Sequence, residues 1–247
     1  MIQNKIAFFT EAGYSGKISR DIPMRTDQAW VCALDADHHC VFNMNKIAES
    51  YDIGVVIIPK EKNRNSLAEQ NYPLIKTIRN NCNKVMIMQE SCHWDWQEDP
   101  VNTMVWFYNQ LLEADLLLCH NDADVKYYQG ITDKRSMILP TLMIEDNIKT
   151  AEPEDRVFVA GNWHLTYRGF DAWVISNEFD LPKYGFKSGK YKEDEDINGI
   201  NYLPWMDWRT FIYELSKCKY GIQTYQSSAG QFPLNCAYLG IPCIGYN

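Results

Sequence analysis

The sequence predicts an α/β protein built from two successive parallel-sheet domains, and two observations carry that prediction. Short apolar runs recur along the chain, each followed by a glycine- or polar-rich break and then a helix-length amphipathic stretch. That is the rhythm of strands joined by helical crossovers, with both faces of the sheet covered. The rhythm stops between Pro140 and Arg156, in an acidic stretch punctuated by Pro153, and then restarts, as it does at a connection between domains. The expected domains are therefore residues 1–145 and 156–247.

In the first half the expected strands are Lys5–Thr10, Ile53–Ile58, Lys84–Gln89, Asp115–Cys119 and Ser136–Leu139. Helices are expected over Thr26–His38, Tyr72–Asn80, Val101–Ala114 and Asp122–Gln129. After the connection come a strand at Arg156–Ala160, a helix at Gly169–Phe179, and strands at Lys183–Lys187, Ile200–Leu203, Tyr220–Gln223 and Pro242–Gly245. The charged run Glu193-Asp194-Glu195-Asp196 reads as a solvated loop.

Composition narrows the function classes. A hydrophobic content of 46% over 247 residues supports one large core or two small ones and excludes a disordered chain. The formal charge of −8, with 24 scattered Lys and Arg, argues against non-specific nucleic-acid binding. Eight cysteines without a C-x-x-C pair point to free thiols in a reducing cytoplasm. The N-terminus has no basic leader, and no apolar run is long enough to span a bilayer, so a soluble cytosolic protein is expected. Cys92-His93, Cys119-His120 and His38-His39-Cys40 contain zinc-type ligands, but their spacing matches no metal motif, and no metal site is expected.

In open parallel sheets ligands bind beyond the carboxyl ends of the strands, which selects a few loops. After Tyr220–Gln223 the loop Ser227-Ser228-Ala229-Gly230 feeds a helix. Its clustered backbone N–H groups and the positive end of the helix dipole suit a diphosphate. Phe8-Phe9-Thr10-Glu11-Ala12-Gly13-Tyr14-Ser15-Gly16-Lys17 is also a strand entering a glycine loop. It is not a P-loop, because Ile18 follows Lys17 and Glu11 stands five residues before Gly16.

The stretch from Gly230 through Leu234-Asn235 to Gly240-Ile241-Pro242 resembles the donor-site signature of the GT-B glycosyltransferases. There a glycine loop precedes a helix bearing Leu-Glu-Ala, followed by Gly-x-Pro and an apolar strand. The family glutamate that grips the ribose hydroxyls is replaced by Asn235, whose amide both donates and accepts. A second family glutamate falls at Ser227, so the resemblance is to the superfamily and not to the subfamilies that carry the glutamate pair. Phe158 through Gly169 is similar to the first strand and glycine loop of the family's donor domain, with Arg168 near its phosphate-binding cation. Asn201 through Trp208 resembles the strand and loop that hold the nucleobase, with Trp205 placed to stack on it.

What this resemblance implies is a pair of Rossmann-like domains facing each other across a cleft, the second incomplete at its C-terminus. It further implies transfer of a sugar from a nucleoside-diphosphate sugar to a hydroxyl of a glycan, lipid or small molecule, without a metal or other cofactor. The implied donor-binding residues are Gly13, Arg168, Trp205, Ser227, Ser228, Gly230 and Asn235. The family places a histidine or carboxylate at the strand end Met88–Gln89, facing the sugar, so Glu90, His93 and Asp95 are candidates, with Glu11 competing for the same role; of these Glu11, Glu90 and His93 are taken as catalytic. Each could deprotonate a hydroxyl or stabilise a cationic anomeric carbon. The alternatives are a nucleotide-sugar 2-epimerase of the same architecture and a silent nucleotide- or carbohydrate-binding protein.

Overall fold

The structure is a computed structural model that describes residues 4–13, 15–21, 26–160, 169–186, 199–224 and 230–245. It divides into two compact units, Met1–Ile144 and Glu145–Asn247.

The first unit contains β1 (Ile6–Thr10), α1 (Thr26–Ala33), β2 (Asp37–Cys40), β3 (Tyr51–Val56), α2 (Glu61–Glu69) and α3 (Leu74–Arg79). They are followed by β4 (Cys82–Gln89), α4 (Val101–Glu113), β5 (Leu116–Cys119), α5 (Asp122–Thr132) and β6 (Ser136–Ile138). The six strands are all parallel in the order β2-β1-β3-β4-β5-β6. Successive residues point to opposite faces, so each apolar run feeds two cores. Ala7, Phe9, Val56, Ile87 and Leu117 pack under α2, α3, α4 and α5, whereas Phe8, Val55, Met88 and Leu118 pack with Ala29 and Val31 of α1. Burial on both sides is why these strands read as near-continuous apolar sequence.

One element differs in kind from its expectation. The helix expected to run to His38 ends at Ala33, the chain turns at Asp35 in the left-handed region (φ 48°), and Asp37–Cys40 pairs in parallel with β1 as an edge strand. A segment reading Asp-His-His-Cys has little intrinsic strand preference. It is held by partners from elsewhere, with His38 Nε2 at 2.8 Å from Thr10 Oγ1 and His39 Nε2 at 2.7 Å from Tyr51 Oη. Helix α2 is a further addition; its buried ion pair between Arg64 and Asp99, at 2.6 Å, ties it to the segment before α4.

The second unit contains β7 (Val157–Val159), α6 (Gly169–Ser176), β8 (Lys183–Phe186), β9 (Ile200–Leu203), α7 (Trp208–Ser216), β10 (Tyr220–Gln223), α8 (Gln231–Tyr238) and β11 (Cys243–Gly245). Its five strands are parallel in the order β11-β10-β7-β8-β9. Phe158, Leu215 and Cys236 form the core under α7 and α8, and Val157, Val159, Ala172 and Ile222 the core against α6. The connection is not loose after residue 145: Ala151 N–H donates to Ser216 Oγ (2.8 Å) and Glu154 N–H to the Lys217 carbonyl (2.7 Å), both within the second unit.

Helix α8 lies close on β10 because residue 221 has no side chain. A Cβ there would stand 2.8 Å from Cys236 Sγ and 2.9 Å from Phe232 Cζ. Gly221→Ala is therefore expected to destabilise the protein by about 1–3 kcal/mol through overpacking, measured as a lower urea midpoint. An unchanged midpoint would mean that α8 is not seated on the sheet at this point.

Candidate functional site

Both sheets are doubly wound, and each has a point where the strand order reverses. In the first unit the chain passes from β1 outward to β2 and then returns to the other side at β3. In the second unit it moves from β7 through β8 to β9 and returns at β10. Ligand crevices of such sheets open at the carboxyl ends of the strands flanking the reversal.

In the second unit those strand ends are Val159-Ala160 and Gln223-Thr224. The loops that follow carry Arg168, Ser227 and Ser228, and these three residues lie outside the described residues. Gly230 is described: it caps the start of α8 in the left-handed region, at φ 59° and ψ 30°, a conformation that favours glycine. Asn235 lies one turn into α8, is only 1% exposed, and accepts a hydrogen bond from Gln231 Nε2 at 3.1 Å through its Oδ1. Trp205, after β9, is 88% exposed with its ring 5.9 Å from that of Phe186. The loop bearing it ends at Asp207, which caps α7 by accepting from Arg209 N–H, Thr210 N–H and the Thr210 hydroxyl.

In the first unit four candidates, Glu11, Gly13, Glu90 and His93, follow the carboxyl ends of β1 and β4. Glu11 directly follows β1, and its Oε2 accepts from the Lys60 N–H and from Asn63 Nδ2, each at 3.1 Å, so it joins the β1 loop to the start of α2. Gly13 lies in the same loop, where a Cβ would meet nothing within 4 Å. Further on, Gly16 bridges back to His38 of β2 through two backbone hydrogen bonds. Glu90 follows β4 and is half-buried.

His93 has the most developed surroundings. Its Nδ1 lies 2.8 Å from Asp124 Oδ1, and the same oxygen accepts the His93 backbone N–H at 3.3 Å. The ring stacks on Tyr127, with centroids 4.4 Å apart, and meets the edge of Trp94 at 4.8 Å. Asp124 is 1% exposed in the first turn of α5, and its Oδ2 accepts from Asn121 Nδ2 at 2.8 Å. Asn121 is the N-cap of α5, its side chain accepting the Asp124 N–H at 2.9 Å. Nothing in the sequence alone gives the end of β5 a role beyond architecture, yet Asn121 followed by an acid three residues later is capping-box spacing. That signal locates the start of α5; nothing local indicates that the acid meets a histidine 31 positions away.

The other histidine and cysteine motifs are structural. His120 Nδ1 lies 2.7 Å from the Leu139 carbonyl, and burial holds its pKa below the ordinary histidine value. Burial pushes the Cys119 thiol up to about 12. Among the described residues no three or more His, Cys, Asp or Glu are grouped so as to hold a metal ion. No helix among them is long and apolar enough to cross a membrane.

No family model and no curated protein matches the sequence. Solved structures do match, and two doubly wound parallel-sheet units in tandem define their class: the chain has the fold of the GT-B glycosyltransferases. An α-glucosyltransferase in complex with UDP and a 13-mer DNA containing a central A:G mismatch superposes with a TM-score of 0.62 at 10% identity, over 100% of this chain and 79% of that one. HepE (Alr3699) of Anabaena in complex with UDP gives 0.61 at 9% identity, over 98% and 80%. A TarM variant of S. aureus in complex with fondaparinux, α-GlcNAc-glycerol and UDP gives 0.57 at 12% identity, over 83% of this chain and 44% of TarM. At these identities the likeness is one of fold, and this chain spans less than half of TarM.

The cap at Asp207 gives a direct test of the loop that carries Trp205. The Thr210 hydroxyl, followed by the Thr210 and Arg209 N–H groups, lowers the Asp207 pKa. A carboxyl depressed by folding stabilises above its unfolded value, and that contribution is lost as pH falls through the folded value. Asp207→Ala should therefore cost about 1 kcal/mol at pH 7. The gap from the unsubstituted protein should close as pH drops below about 3.9, followed by urea denaturation at both pH values.

Proposed function

We propose that this chain is the catalytic core of a glycosyltransferase that moves a sugar from a nucleoside-diphosphate sugar to an acceptor hydroxyl. The second unit holds the donor and the first unit carries the groups that act on the acceptor. The observation that carries this reading is the reversal between β7 and β10, beyond which α8 starts at a left-handed glycine. Backbone N–H groups at that helix start, with the dipole behind them, receive the diphosphate. Ser227 and Ser228 precede them, and Arg168 pairs with the phosphate oxygens and offsets the charge that builds as the nucleoside diphosphate departs. No metal is needed for that step.

Asn235 is the ribose partner, reached when Gln231 turns aside, and the exposed face of Trp205 stacks on the base. The fold neighbours solved with UDP make a uridine nucleotide the first donor to test. The acceptor is a hydroxyl of a glycan, a lipid or a small molecule. Eight free thiols, six of them buried, fit a soluble enzyme working in the reducing cytoplasm.

Thermal-shift measurements against UDP, GDP, ADP, CMP and their sugars test the reading. At a ligand concentration 100 times Kd the native state gains about 2.7 kcal/mol, and each kcal/mol raises Tm by about 2–4 °C for a chain of this size. At least one nucleotide should raise Tm by several degrees, and both Arg168→Ala and Asn235→Ala should shrink the rise. If no nucleotide moves the melting temperature, the donor site assigned to the second unit is wrong.

A further inference from the structure

We propose that Cys236 and Cys243 form a redox modification site within the second unit: a dithiol that a low-molecular-weight disulfide oxidises to an internal disulfide, with Cys243 attacking and Cys236 resolving. The inference goes beyond glycosyl transfer and holds whatever the donor loop binds.

The two cysteines stand on either side of the turn between α8 and β11, and the fold brings their sulfurs together. The Ile241 N–H donates to the Cys236 carbonyl at 2.9 Å, which closes that turn tightly. Cys243 is the partner of Gly221 in the parallel pairing of β11 with β10. Paired strands run about 4.8 Å apart, and paired residues share a face. Ile244, the next residue, packs in the core against α6, which turns Cys243 to the opposite face, toward α8. On that face the Cys236 sulfur already fills the space above Gly221, 2.8 Å from where a Cβ would stand. One sulfur therefore lies over a residue whose strand neighbour is the other cysteine, and the Cys236 thiol donates a hydrogen bond to the Cys243 sulfur.

The pair is asymmetric, and the asymmetry assigns the roles. Cys236 is 0% exposed, whereas Cys243 is exposed on the edge strand β11. The thiolate is the attacking form of cysteine. The hydrogen bond from Cys236 holds the Cys243 thiol below the ordinary cysteine pKa, and the same bond, with burial, raises that of Cys236. The other six thiols are poorer targets. Cys40, Cys82, Cys92, Cys119 and Cys218 are buried, and burial pushes Cys82 and Cys218 up to about 11. Cys32 is half-buried, with its thiol donating to the Ile18 carbonyl at 3.4 Å.

In the first step the Cys243 thiolate attacks one sulfur of the small disulfide. The S–S bond of that reagent breaks, one small thiolate leaves and takes a proton from solvent, and Cys243 is held as a mixed disulfide. The Cys236 thiol then gives its proton to solvent and attacks the Cys243 sulfur, releasing the second small thiol. Two electrons pass from the cysteine pair to the reagent, which is reduced to two thiols. Once Cys243 is capped, no thiolate stands beside Cys236 to oppose its ionisation, and contact between the sulfurs makes the second step intramolecular. The new bond ties the end of α8 to β11, and a small thiol in excess reopens it by the reverse exchange.

Glutathione disulfide in excess is the probe, added to the full chain at pH 7 and read by intact mass and by chymotryptic peptides, cut between the two cysteines at Tyr238. The unsubstituted protein should lose the two thiol hydrogens, yield a linked peptide pair holding Cys236 and Cys243, and regain its mass with dithiothreitol. Cys236→Ala should instead keep one glutathione on Cys243. Cys243→Ser should form no internal link and leave Cys236 unmodified. A lasting glutathione adduct on Cys243 of the unsubstituted protein, a link made by other cysteines in place of this one, or no reaction at all overturns the proposal. Where circular dichroism shows Cys236→Ala to be unfolded, the linked peptide of the unsubstituted protein and its loss in Cys243→Ser, a change at an exposed position, decide the matter. None of these readouts involves a nucleotide, so their failure is separate from failure of the donor site.

Discussion

The constraint that organises this structure is the edge of a parallel sheet. Every strand must leave the sheet and enter a helix at the same side, and the backbone N–H groups at those junctions need acceptors. A buried donor left unpaired costs about 1–3 kcal/mol. In the first unit side chains supply the acceptors: Thr10 for Ala12, Glu11 for Lys60, Asn121 for Asp124, and Asp124 for His93. The opposite edge solves a different problem. There Asp115 binds Arg79 and Lys84 as well as the Val85 N–H; at the amino edge of the second unit's own sheet Arg156 pairs with Glu214 and Lys219 with Asp155. Carboxylates at the amino edge are thus neutralised by cations. Glu11 and Asp124 at the carboxyl edge of the first unit are held by backbone N–H groups, amides and an imidazole, and the same edge carries the buried ion pair of Arg64 with Asp99.

How much of this is legible in the sequence depends on where each element finds its partners. Strands β1, β3, β4 and β5 announce themselves because they are buried on both faces, and the apolar run is itself the cause of the strand. Strand β2 does not, since what stabilises Asp37–Cys40 is a hydroxyl on β1 and a phenol on β3. Helix α2 is equally opaque: Arg64, Leu67 and Ala68 are its buried residues, and a buried arginine reads as a surface residue until its partner Asp99 is known. His93 can be singled out from its place after a strand. Its contact with Asp124 cannot, because that acid is set in position by the cap of a different helix.

The second unit shows the converse, a local pattern with a local cause. Gly221 has no side chain because Cys236 and Phe232 of α8 occupy the space a Cβ would need, and Gly230 takes the left-handed turn from which α8 begins. Both requirements arise between neighbours close along the chain, which is why the amino-acid string from Tyr220 to Ile244 is enough by itself to spell out strand, loop, helix and strand. The replacement of the family glutamate by Asn235 acquires a physical meaning from the same geometry. The side chain is 1% exposed and bonded to another neutral amide, Gln231. A carboxylate in that position would have to be desolvated and would set a negative charge near the helix start assigned to a diphosphate. In the donor reading proposed above, an amide there would offer the ribose a group that both donates and accepts and would add no negative charge at the start of α8.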